Sequence, residues 1–140
     1  GSGNLGGCMS FKILVVDDSA MSRRSLKRVL ESDGYAVVEA EDGMSALETY
    51  HLERPDLVLL DMLMKGMYGL EVLAKLREMD ANVRVIIVSA DIQNSTKEMA
   101  LEGGALGFVN KPFAAGIVLE TVAGILGEWS QQNGIDGTTN

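Results

Sequence analysis

Five short apolar runs punctuate the chain: FKILVV (11–16), YAVVEA (35–40), DLVLL (56–60), VRVIIV (83–88) and ALGFV (105–109). They are rich in Val and Ile, and three are almost continuously apolar, the texture of strands covered on both faces. Helical stretches lie between them. In the first, Leu26, Val29, Leu30 and Asp33 share one face, and Ser19 stands where an N-cap belongs. In the third, Leu70, Leu73, Ala74 and Arg77 keep that spacing, with Val72, Leu76 and Met79 widening the stripe. EGG (102–104) gives the fourth helix a glycine stop. In the fifth, Val118, Val122, Ile125 and Trp129 recur at helical intervals, although Gly116 and Gly124 lower its intrinsic propensity. This alternation predicts an α/β fold: a doubly wound (βα)5 sandwich with a parallel five-stranded sheet of order 2-1-3-4-5, flavodoxin-like, with helices on both faces.

Composition narrows the function classes. A formal charge of −8 and a pI near 4.6 argue against sequence-independent nucleic-acid binding, which needs clustered Lys and Arg. The one dense basic stretch, SRRSLKR (22–28), reads as a solvated helix face, with a docking surface for an acidic partner as the sharper alternative. No apolar run approaches the roughly 18 residues of a membrane span, so no membrane insertion is expected. The single cysteine, Cys8, excludes an intramolecular disulfide framework and makes a cytoplasmic protein the simplest expectation. Residues 1–8 read as a cloning remnant before a native start at Met9, residues 9–129 as one folded domain, and 130–140 as a disordered tail or linker.

In a doubly wound sheet the functional crevice opens at the carboxyl ends of the strands, where strand order reverses. The first strand ends in Asp17-Asp18, the third in Asp61, the fourth in Ser89-Ala90 and the fifth in Asn110-Lys111-Pro112. The second ends in Ala40-Glu41-Asp42, on the far side of the reversal. Any one of these acids alone is a turn former or N-cap, Ser89 alone a cap and Lys111 alone a solvated cation. Together they bring three carboxylates, a hydroxyl and an ammonium to one rim. Three adjacent carboxylates repel unless a cation joins them, and hard oxygen ligands suit Mg²⁺. A divalent ion, a lysine and a hydroxyl around a central aspartate make a site for phosphoryl chemistry in which Asp61 is the nucleophile. Pro112 after Lys111 marks a special turn and a candidate cis bond.

The order Asp17-Asp18, Asp61, Ser89, Lys111-Pro112, with 43, 28 and 22 positions from Asp18 to Asp61, Ser89 and Lys111 in turn, resembles the receiver domain of two-component response regulators. VVDDS, LLDMLM with Gly69, VSA and NKPF carry the likeness, which spans about residues 11–128 and has the character of the chemotaxis-regulator branch. The resemblance implies that Asp61 is the phosphoacceptor, supplied by a histidine kinase or phosphotransfer protein. It implies Mg²⁺ held by Asp18 and Asp61, by Asp17 through a bound water, and by the backbone carbonyl of Leu63. Lys111 would pair with the phosphoryl group, Ser89 would swing to hydrogen-bond it, and Phe108, where many members carry Tyr, would rotate inward. The switched surface would be that of helix 4, strand 5 and helix 5, with Asp91, Gln93, Asn94, Lys97 and Glu98 as exposed candidates for a downstream effector. Dimerisation through that face is an open possibility. The family usually has proline after the methionine at position 64; here Lys65 follows.

Two rivals come from other classes. A phosphatase of the haloacid-dehalogenase type also uses Asp and Mg²⁺, but wants two acids separated by one residue after its first strand, whereas Asp17 and Asp18 are adjacent. A degenerate receiver, acting purely as an interaction module, would lack some of the chemical positions that are all filled here. His51 and Cys8 receive no role, and Trp129 reads as a packing residue.

Overall fold

The computed structural model describes residues 10–90 and 93–132, with side chains described through residue 127. Cys8, Asp91, the tail after residue 132 and the side chain of Trp129, for which expectations were stated, lie outside what is described. Strands β1 (Lys12–Val16), β2 (Ala36–Ala40), β3 (Leu57–Asp61), β4 (Val85–Ser89) and β5 (Gly107–Asn110) alternate with helices α1 (Ala20–Ser32), α2 (Gly43–Glu53), α3 (Gly69–Met79), α4 (Asn94–Glu102) and α5 (Ala115–Gln132). All ladders are parallel and the order is β2-β1-β3-β4-β5, the predicted 2-1-3-4-5.

Strand alternation divides the core into two layers. Ile13, Val15, Leu57, Leu59, Ile86 and Val88 pack with Leu26 and Leu30 of α1 and Val118, Val122 and Leu126 of α5. Leu14, Val16, Val58, Leu60, Val85 and Ile87 pack with Ala46 and Tyr50 of α2, Val72, Leu73 and Leu76 of α3 and Ala100 of α4. Every residue of β3 and β4 is buried, which explains why their sequences do not alternate between polar and apolar.

Ser19 caps α1 by accepting the Ser22 N–H at 3.2 Å. Asp33 does not extend the apolar face of α1; it stands at the C-cap. The α3 stripe is rotated from the predicted one: Gly69, Val72, Leu73 and Leu76 are buried, while Ala74, Arg77 and Met79 face solvent. The cause is the helix entry. A Cβ on Gly69 would lie 2.6 Å from the Asp61 carbonyl oxygen and 2.7 Å from the Met62 Cα, so α3 starts in direct backbone contact with the end of β3. That contact fixes the helix phase, which residue spacing alone left free. At the end of α4 the left-handed position is Gly104, with φ 108°. His51 is exposed, in the last turn of α2. No helix among the described residues is long and apolar enough to cross a membrane.

Candidate functional site

The carboxyl ends of β1, β3, β4 and β5 bring Asp17, Asp18, Asp61, Ser89 and Lys111 to one rim. Asp17 is buried, at 1% exposure. Its Oδ1 accepts the Ser19 N–H at 2.9 Å, its Oδ2 accepts the Lys111 ammonium at 2.7 Å, and its own N–H donates to the Ala40 carbonyl at 3.2 Å. Asp18 is exposed, and its Oδ2 accepts the Lys65 backbone N–H at 3.3 Å. Proline at position 65 would have no such donor.

Asp61 closes β3 with only 6% of its surface exposed. Its Oδ2 lies 3.6 Å from the Lys111 ammonium, and its Oδ1 receives a long, 3.4 Å hydrogen bond from the Leu63 N–H. One oxygen from each of Asp17, Asp18 and Asp61 falls within 4.8 Å of the others. Burial raises the Asp61 pKa to about 6; the charges of Asp17 and Asp18 push it the same way, while Lys111 and the Leu63 N–H oppose it. Three carboxylates around one ammonium leave an excess of negative charge in a partly dehydrated place. A small hard divalent cation with several open positions for water fits this all-oxygen donor set.

Lys111 is brought in by the β4–β5 ladder. Ser89 pairs in register with Asn110, and the Lys111 N–H donates to the Ser89 carbonyl at 2.9 Å. The Lys111–Pro112 peptide bond is cis, as the turn suggested. Ser89 is fully buried. It stands two residues after Ile87, which is in register with Phe108, so alternation sets Ser89 and Phe108 on the α2–α4 face of the sheet. Phe108 is half-buried, and the Lys97 ammonium of α4 sits 5.3 Å from its ring centroid. Leu63 is half exposed, at 53%, beside the acceptor. An open hollow of about 460 Å³ adjoins Lys111, lined by Met21, Ser22, Ser25, Ala90, Pro112 and Phe113.

Asp42, the acid at the end of β2, stays outside this cluster. It is the N-cap of α2, accepting the Ser45 N–H at 2.8 Å in a capping box. Conversely, Arg23 was read as part of a solvated basic face but turns inward. Its Nη1 donates to the Asp17 carbonyl at 2.7 Å and its Nε to Glu39 of β2 at 3.2 Å, while Lys27 also pairs with Glu39 at 3.7 Å. Arg24 and Arg28 remain exposed. A cue existed: residue 23 falls one helical turn after the N-cap Ser19, where a long side chain reaches back over the preceding loop.

The match to known proteins decides the family. Residues 13–123 fit the model of the response regulator receiver domain. The chain belongs to the response regulator receiver family. It is 42% identical to chemotaxis protein CheY of Bacillus subtilis over 115 residues, covering 81% of this chain and 96% of that one. It is 43% identical to sporulation initiation phosphotransferase F of the same organism over 105 residues, covering 75% and 85%. It also spans 53% of transcriptional regulatory protein CseB of Streptomyces coelicolor, at 32% identity over 126 residues. Among solved structures, CheY in the CheX-CheY-BeF3-Mg complex of Borrelia burgdorferi superposes with a TM-score of 0.79 at 34% identity, covering 83% of this chain and 89% of that one. A CheY-like receiver domain protein of Methanospirillum hungatei superposes with a TM-score of 0.84 at 28% identity, covering 88% and 98%. The molecule is therefore a receiver domain of the two-component response regulators.

Proposed function

We propose that this receiver domain, taken as residues 9–129, accepts a phosphoryl group on Asp61 from a histidine kinase or phosphotransfer protein in the cytoplasm, with Mg²⁺ as cofactor, and passes the signal to a protein partner. The observation that carries the reading is the cluster of Asp17, Asp18 and Asp61 faced by the Lys111 ammonium. Asp18, Asp61 and the Leu63 carbonyl would hold the cation, and Asp17 would contact it through water. When bound, the ion neutralises charge on the phosphoryl oxygens.

The chain's own groups supply the rest. Asp61, with a pKa near 6, is mainly ionised at neutral pH and presents a carboxylate oxygen to phosphorus. The new O–P bond forms as the bond from phosphorus to the donor's imidazole nitrogen breaks, and the imidazole takes a proton. Lys111, now paired to Asp17 and Asp61, turns to the incoming dianion. The hollow beside Lys111 leaves room for the donor to approach.

The dianion then draws the Ser89 hydroxyl, and Phe108 follows into the space vacated. Phe108 has no hydroxyl, so no phenolic hydrogen bond gates its rotation, and the Lys97 ammonium lies over its ring in the outward position. The surface that changes is that of α4, β5 and α5, where Gln93, Asn94 and Glu98 are exposed. An effector reads that face. The domain catalyses its own phosphorylation and dephosphorylation.

The test is intact mass after incubation with acetyl phosphate and Mg²⁺. The wild type should gain one phosphoryl group, Asp61→Asn none, and excess EDTA should suppress the gain. Unchanged mass together with no beryllofluoride complex would mean a receiver that no longer takes phosphate.

A further inference from the structure

We propose that Arg23 is a positioning residue of the acidic site, an inference that rests on the reading of that site as a divalent-cation site. Its guanidinium grips the peptide carbonyl between Asp17 and Asp18 and so sets the angle at which Asp18 presents its carboxylate.

Asp17 and Asp18 differ in what holds them. Asp17 is fixed through both oxygens, by the Ser19 N–H and the Lys111 ammonium. Asp18 is exposed, and the bond recorded on its carboxylate is the 3.3 Å contact from the Lys65 N–H. Its direction therefore depends on the backbone that carries it. That backbone leaves β1 at Val16 and must turn within three residues to reach the N-cap at Ser19. In this turn the Asp17 N–H is tied to Ala40, and the Asp17 carbonyl is tied to Arg23 Nη1 at 2.7 Å. Both polar groups of residue 17 are thereby anchored, one to β2 and one to α1.

The arginine is itself immobilised. Its side chain is 16% exposed, and Glu39 on β2 holds Nε at 3.2 Å. Charge-assisted bonds in a rigid fork are the strong kind, and lysine cannot reproduce both at once. Groups that orient metal-binding carboxylates without touching the ion commonly change affinity by about tenfold or more.

A guanidinium bonded to the backbone of the acidic site could instead act only as a counter-charge, and the two roles have opposite signs. A mere counter-charge competes with the cation, so its removal tightens metal binding. A positioning group strengthens binding, so its removal loosens it.

The experiment is a Mn²⁺ titration followed by electron paramagnetic resonance of the free ion, on the full chain. The proteins are the wild type, Arg23→Lys, Arg23→Met, Glu39→Gln and Asp18→Asn, with urea unfolding measured in parallel. If the wild type binds no Mn²⁺, or Asp18→Asn binds as well as the wild type, the cation-site reading itself fails. Given Asp18-dependent binding, Arg23→Met should raise the dissociation constant about tenfold, with Arg23→Lys in between and Glu39→Gln smaller. An unchanged or lower dissociation constant in Arg23→Met would overturn the proposal, as would loss of stability without loss of affinity. If Arg23→Met does not fold, Arg23→Lys and Glu39→Gln decide it in the same way.

Discussion

Asp61 and Asp80 stand at opposite ends of the sheet, and their surroundings push them in opposite directions. Asp61 sits at the carboxyl end of β3, dehydrated and next to two other acids, and its pKa rises to about 6. Asp80 caps the C-terminus of α3, just before β4. It accepts the Tyr50 hydroxyl at 2.7 Å and the Asn82 N–H at 2.9 Å, with Arg54 4.0 Å away. Those bonds, the tyrosine's first, hold its carboxyl below the usual range, while burial and the bond to Asp80 push the Tyr50 phenol well up. At the lower rim Asp80 thus has partners that favour its charged form. At the upper rim the charge is held against its surroundings. An excess of like charge survives in a fold when something absent from the fold completes it, and on the proposed reading that is a cation and a phosphoryl group.

The sharpest break between the rims lies in the phosphorylation rate. Lys111→Met should slow the mass gain from acetyl phosphate by about a hundredfold, because the one ammonium facing the acceptor is lost. In EDTA its urea midpoint should fall as well, because the buried Asp17 loses the ammonium 2.7 Å from its carboxylate. A rate near that of the wild type would remove Lys111 from the chemistry.

Next in size is the pH dependence, measured in EDTA as the stability difference between each mutant and the wild type. A raised folded-state pKa means that Asp61 contributes stability at low pH, and that this is lost as pH rises from the ordinary 3.8 to about 6. Asp61→Asn should therefore gain on the wild type across that window, on the order of 3 kcal/mol. Asp80 has the opposite sign: its contribution is present above the ordinary carboxylate value and lost as pH falls through its lowered one. Asp80→Asn should fall behind the wild type above that range and approach it in acid. Parallel curves for the two mutants would erase the contrast.

Smaller still is Tyr50→Phe, which strips the hydroxyl from Asp80. It should cost about 1 kcal/mol in urea unfolding, and leave the phosphorylation rate untouched. Lys65→Pro tests the weakest contact. Loss of the N–H on Asp18 should loosen Mn²⁺ binding by less than about tenfold, with no effect at the lower rim. A larger loss would mean that the β3–α3 loop positions Asp18 more than the Arg23 grip does.

The two rims were not equally legible in the sequence. The strands were plain, because doubly covered strands such as LVLLD and VIIVS need unbroken apolar runs. The upper rim was plain for the same reason: a bare acid or lysine closing an apolar strand has no packing excuse. What escaped were features set by contacts between elements. Arg23 lies in a basic run whose members look alike; Glu39 holds Lys27 too, and it is the bond to the Asp17 carbonyl that singles Arg23 out. The phase of α3 was misjudged because Gly69 against Asp61 and Met62 sets it, and glycine carries no hydropathic signal. The Tyr50–Asp80 bond joins residues 30 positions apart at the ends of two helices, where nothing in the spacing announces a pair.

The central claim is that the upper-rim charge is held for a cation. The most direct measurement is urea unfolding of the wild type and Asp61→Asn at neutral pH, each in EDTA and in saturating Mg²⁺. The account predicts that Asp61→Asn is the more stable protein in EDTA, and that Mg²⁺ raises the wild-type midpoint while leaving that of the mutant nearly unmoved. A mutant less stable than the wild type in EDTA, or one that gains as much from Mg²⁺, would contradict it.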